Sequence, residues 1–132
     1  MRSILPALAL LVACKGSDAA RCAHCGMKID PKSPWSSELA DGPKTERFDT
    51  PRCALTTWVE NGKHGTVRVQ DYYDRTMRPA SDVKFVVGSD VTGPMGAEFV
   101  PVDDARVAKF EKDHGGTRAL ALADVDAKAL EP

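Results

Sequence analysis

Cys22-Ala23-His24-Cys25-Gly26-Met27 places two thiols and a thioether within six residues. Soft sulfur donors of this kind suit Cu(I) and discriminate against zinc, calcium and magnesium. Zinc sites are built from thiolate, imidazole and carboxylate, so Met27 is the residue that turns a Cys-x-x-Cys pair towards copper. A thioether also has no proton to lose and cannot be consumed by a disulfide. Gly26 lets the backbone turn so that the sulfurs on either side of it face one point.

Two other uses of the cysteine pair compete with this reading. In a thiol:disulfide oxidoreductase the dithiol opens a long helix behind a β-α-β pattern. Here Gly26-Met27-Lys28-Ile29-Asp30-Pro31 leaves room for one turn at most before a proline. A structural zinc or a plain disulfide needs a second pair, and Cys53 with His64 supplies one at a spacing outside the usual zinc modules. A third possibility is an adaptor that docks on a membrane partner and uses copper to order its N-terminal loop.

Other chemistry-bearing residues lie further along. Met95, in Gly93-Pro94-Met95-Gly96, is displayed on a turn and is either a second thioether donor or a gap filler beneath that turn. Met77, in Arg75-Thr76-Met77-Arg78-Pro79, reads the same way with less to recommend it. Cys53 stands nearly opposite the apolar face formed by Ala54, Leu55, Trp58 and Val59, so it is expected to be an accessible helix-start thiol and has no assigned role. His24 is a ligand or a solvated loop residue, His64 sits in a turn, and His114 suits a helix C-terminus.

The elements that position these residues follow from periodicity. Trp35–Leu39 and Thr45–Phe48 read as short strands around Asp41-Gly42-Pro43. A helix follows, capped by Asp49 or Thr50, with Pro51 at its first position and Gly62 beyond its end. Thr66–Tyr72 alternates as a strand. The order then repeats: Val83–Val87, a turn through Gly88–Gly96, the strand Ala97–Val102, a helix capped by Asp103 and stopped by Gly115-Gly116, and a strand at Thr117–Leu120. A short C-terminal helix is expected at Asp124–Leu130. The predicted class is α+β: two tandem β-β-α-β units with small, mostly antiparallel sheets.

The N-terminus reads as a lipoprotein signal. Arg2 is followed by an apolar run, Ile4–Ala13, too short to span a bilayer. Leu11-Val12-Ala13-Cys14 then matches a lipobox. This predicts a signal at 1–13, acylation of Cys14, a polar tether over 14–21 and one domain over 22–132. Cys22 would lie within about 30 Å of the lipid surface. With Cys14 committed to lipid, Cys22, Cys25 and Cys53 remain, an odd number in a compartment where disulfides form readily, which flags a metal or a reactive thiol. The net charge of −1, with Lys and Arg scattered along the chain, argues against nucleic acid as a partner.

These markers together resemble the NosL family of copper-binding lipoproteins associated with maturation of nitrous oxide reductase. The resemblance is carried by Cys22-Ala23-His24-Cys25-Gly26-Met27, Arg47-Phe48-Asp49, Phe85-Val86-Val87-Gly88-Ser89, Pro94-Met95-Gly96-Ala97 and His114-Gly115-Gly116. It implies a monomer that carries a single Cu(I) and performs no covalent chemistry. The ion would pass through a membrane-associated ABC-type complex to the recipient enzyme's copper-sulfide site, on the periplasmic side of a bacterial membrane. Carried over by motif, Cys25, Met27 and Met95 are the expected ligands, with Cys22 next. Cys53 lies outside the family pattern.

Overall fold

Strand and helix follow one another in the same order twice along the chain, in a computed structural model that describes residues 20–132. The predicted signal, Cys14 and the tether up to residue 19 lie outside the described residues. In the first unit β1 (Ser37–Asp41) and β2 (Lys44–Phe48) form a hairpin, α1 (Pro51–Glu60) crosses over it, and β3 (Thr66–Gln70) returns antiparallel to β1. A further edge strand, β4 (Met77–Pro79), pairs with β3. The second unit comprises β5 (Val83–Val87), a small ladder of β6 (Thr92–Gly93) and β7 (Gly96–Ala97), β8 (Val100–Asp103), α2 (Val107–His114) and β9 (Arg118–Leu120).

The sheet orders are β2-β1-β3-β4 and β8-β5-β9. In each unit the first strand is central, the second lies on one side and the strand after the helix lies on the other, with every pairing antiparallel. The duplication expected from element order is therefore present in the topology. β4 and the β6–β7 ladder are additions to it. β4 escapes a periodicity reading because Pro79 sits in a three-residue strand, tolerated there because β4 is an edge.

Alternation along β5 joins the two halves. Val83 and Phe85 pack with Leu39, Phe48, Leu55 and Val69 in the main core, while Val86 faces Val100, Val102 and Phe110 beneath α2. Full burial of side chains such as Phe48, Leu55, Phe85 and Phe110 stabilises the fold by about 1.5–3 kcal/mol each. A buried carboxylate adds a polar stitch. Asp71 accepts the amides of Tyr73 (2.9 Å) and Asp74 (3.2 Å) through Oδ1 and that of Asp103 (2.7 Å) through Oδ2, which fixes the end of the first unit to the end of β8.

The expected C-terminal helix at 124–130 does not form as such. A single 3-10 turn, Leu122–Asp124, is followed by Val125 in extended geometry, and the remaining residues make isolated turns. Val125 is fully buried in the main core, and placing it there requires the extended backbone that breaks the helix.

The start of α1 is where the two units meet around the sulfur residues. Thr50 is the N-cap, its Oγ1 accepting the Cys53 amide at 3.1 Å, and Pro51 follows as expected. The Arg52 amide is taken by a residue distant in sequence: Glu98 Oε1, at 2.9 Å, which also accepts the Phe99 amide at 3.0 Å. Glu98 thereby ties the segment after β7 to the first turn of α1. Gly93 packs closely on this junction: a Cβ there would lie 2.6 Å from Glu98 Oε2 and would have to displace that end of the carboxylate.

Burial raises the Glu98 carboxyl from about 4.5 to about 7, against the lowering effect of the two amides. Such a group keeps its proton longer in the folded chain than in the unfolded one, so stability falls as pH rises from 4.5 to 7, by at most about 3 kcal/mol. Urea unfolding across this range should show that fall in the parent and its loss in Glu98→Gln. Parallel profiles for the two proteins would refute it.

Candidate metal centre

The Cys22–Met27 motif folds as a tight hairpin. The Cys22 amide donates to the Met27 carbonyl (2.8 Å), the Gly26 amide to the Cys22 carbonyl (2.9 Å), and Arg21 bridges to Lys28. Gly26 holds φ at +77°, a conformation L side chains rarely adopt, so the turn requires glycine. Two further contacts seat the hairpin on the first unit: the Ala23 amide donates to the Arg47 carbonyl (2.8 Å), and His24 Nδ1 lies 3.3 Å from Thr57 Oγ1 on α1.

That docking brings in residues from the start of α1. One donor atom from each of Cys22, Cys25, Asp49 and Cys53 lies within 4.8 Å of the others. The Cys25 thiol donates to Asp49 Oδ1 at 3.4 Å, while Asp49 Oδ2 is buried with no hydrogen-bond partner. The three cysteines are unpaired thiols. Met95 reaches the same cluster from the second unit, its Sδ 3.9 Å from Cys53 Sγ. Met95 occupies the two-residue turn between β6 and β7, so a hairpin tip displays it.

Cys53 is thus not the accessible thiol expected from the sequence. It is 5% exposed and stands at the centre of the cluster. The helical period locates the apolar face of α1 correctly, but the opposite side of its first turns is covered by the Cys22–Met27 hairpin, a contact that periodicity along α1 does not encode. Of the two candidate caps, Thr50 takes the role and leaves the Asp49 carboxyl to the cluster. The signal in the sequence is the run Asp49-Thr50-Pro51-Arg52-Cys53, in which a helix start carries a carboxylate and a thiol.

Among the sequence candidates, Cys22 and Cys25 belong to the cluster, and Met95 touches it through Cys53. Met27 adjoins it along the chain. Among the described residues, Met27 (44%) and Met95 (53%) are the large apolar side chains left exposed. His24 lines a cleft of about 580 Å³ that also borders Cys53, Met95 and Glu98. Met77 falls in a different depression with Ile29 and Gln70. His114 bonds Asp90 Oδ1 (3.0 Å) and Tyr72 Oη (3.3 Å), anchoring the end of α2.

The electrostatics suit a metal more than disulfide exchange. Burial pushes the Cys25 thiol up, with smaller contributions from Cys22 and Asp49, and burial also pushes Cys53 well up. An attacking thiol of an oxidoreductase is shifted the other way. Thiols of this kind become good donors when a metal displaces their protons. The donors present are soft and almost all sulfur, which matches a soft ion.

No helix among the described residues is long and apolar enough to cross a membrane. Comparison with curated proteins gives no match. Among solved structures, the crystal structure of the copper chaperone NosL from Shewanella denitrificans is similar in fold, with a TM-score of 0.70 and 21% identity over 94% of this chain and 99% of that one. The sequence pattern of the NosL family matches residues 13–130, and the chain belongs to that family.

Proposed function

We propose that this protein is a carrier of Cu(I), binding one ion and handing it on without covalent chemistry. The observation that carries the reading is the contact of Met95 Sδ with Cys53 Sγ at 3.9 Å, which joins a thioether from the second unit to the thiols of the first. Cys25, Met27 and Met95 are the proposed ligands, with Cys22 as a further thiolate. The relative from Shewanella denitrificans is described as a copper chaperone, and the soft donor set here is consistent with the same cargo.

A carrier must also release its ion. The thiols form the inner wall and the exposed thioethers the outer one. An incoming soft donor can therefore approach along the cleft beside Met95, and the ion passes by stepwise ligand exchange, each released thiolate regaining a proton. The recipient we propose is the maturation machinery of nitrous oxide reductase, reached through an ABC-type membrane complex. The protein would act as a monomer on the periplasmic side of the membrane, anchored by an acyl group on Cys14.

Anaerobic titration against a competing Cu(I) chelator should give one ion per chain, and Met27→Ala with Met95→Ala should weaken binding by at least a hundredfold. A double variant that binds as tightly as the parent would overturn the ligand assignment. Cys14→Ala should move the protein from the membrane fraction to the soluble fraction; retention in the membrane would exclude acylation there as the anchor.

A further inference from the structure

The chain beyond Val125 crosses back to the first turn of α1. Val125 is fully buried in the main core, whereas Asp126, Ala127 and Lys128 are exposed and Ala129 and Leu130 half-buried. The segment's own bonds are local: the Ala129 amide donates to Asp126 Oδ1 (2.8 Å) and the Leu130 amide to the Asp126 carbonyl (3.2 Å). Leu130 rests against the main core, and Ala129, Glu131 and Pro132 form one wall of the cleft of about 580 Å³ that borders Cys53 and Met95.

Little holds that wall in place. Among the described residues, a single hydrogen bond joins residues 126–132 to the rest of the chain, from the Arg52 guanidinium to the Leu130 carbonyl at 2.6 Å. The same guanidinium lies 5.6 Å from the centre of the Phe99 ring, and the Arg52 backbone amide is the one that Glu98 accepts. A charged donor makes the bond to Leu130 stronger than a neutral one. A segment with one tertiary hydrogen bond and two half-buried apolar side chains nevertheless belongs to the low-stability end of a fold, which opens without global unfolding. Val125 is the fixed end of such a motion, and Arg52 is the catch.

We infer that residues 126–132 are a strap along the cleft, fastened by Arg52, and that its release uncovers Cys53 and widens the approach to Met95. The access it controls is selective. Cys53 lines the cleft and neither Cys22 nor Cys25 does, so lifting the strap opens a route to one thiol of the three. Arg52 is a positioning residue, acting through the strap and not as a donor. A further consequence rests on the copper reading: the strap sets how fast a bulky partner reaches the bound ion and leaves the affinity for the ion unchanged.

Alkylation of the reduced, metal-free chain by iodoacetamide, read by mass spectrometry at each cysteine, tests the strap with no metal present. Arg52→Met removes the guanidinium and keeps the stem, and Leu130→Asp drives the apolar anchor into water; each should speed labelling of Cys53 by about tenfold or more. Labelling of Cys22 and Cys25 should change by less than about twofold, because the strap does not cover them. The direction is diagnostic, since losing a nearby cation or gaining an anion disfavours the thiolate and would by itself slow the reaction. Labelling of Cys53 that is unchanged or slower in either variant would overturn the strap. Equal acceleration at all three cysteines would overturn it too, because that pattern reports a loosened hairpin. Transfer of Cu(I) to an excess of the bulky chelator bathocuproine disulfonate should also run faster in both variants at unaltered equilibrium affinity. Faster labelling without faster transfer would reject control of copper exchange while the strap itself stands.

Discussion

The first turn of α1 is the constraint that assembles the centre. Helix starts leave backbone amides unsatisfied, and here two of them are taken in opposite directions along the chain. Thr50 holds the Cys53 amide from just upstream, and Glu98 holds the Arg52 amide from the far side of the β6–β7 ladder. The first bond fixes Cys53 within the cluster. The second draws the Met95 turn over it, so a sulfur from each unit arrives at one point because one helix end needs both acceptors.

The two-unit fold supplies the frame for this. A duplicated β-β-α-β plan gives two helix starts and two sheets, and the additions fall on the second copy as the β6–β7 ladder and on the first as β4 and the preceding Cys22–Met27 hairpin. Shared packing through β5, together with the Asp71 bonds to the segment after β3 and to Asp103, holds the copies in a fixed relation. The proposed seat, with donors drawn from both copies, would rely on that fixed relation. Its proposed donors sit on a short hairpin and a two-residue turn.

Local signals in the sequence are sufficient for much of this. Thr50-Pro51 and the apolar face of α1 locate that helix, alternation locates β5, and Gly93-Pro94-Met95-Gly96 announces a displayed methionine. Contacts between distant segments are not legible in the same way. Cys53 looks accessible because nothing along α1 states that the hairpin covers its outer side. Glu98 and Asp71 give no hint of their roles, since a buried carboxylate is defined by the amides that fold up to meet it. The C-terminal segment has helical composition, yet the demand of the core for Val125 decides its backbone.

On the copper reading, methionine sulfur from a surface turn completes a thiol-lined seat for Cu(I). X-ray absorption at the selenium edge of Cu(I)-loaded protein carrying selenomethionine is the decisive measurement, because the edge reports only what surrounds the methionine positions. A copper neighbour in the selenium shell, together with a sulfur- and selenium-dominated shell at the copper edge, is the expected result. A selenium edge without copper, or a copper shell dominated by nitrogen and oxygen, would rule out a methionine-completed seat.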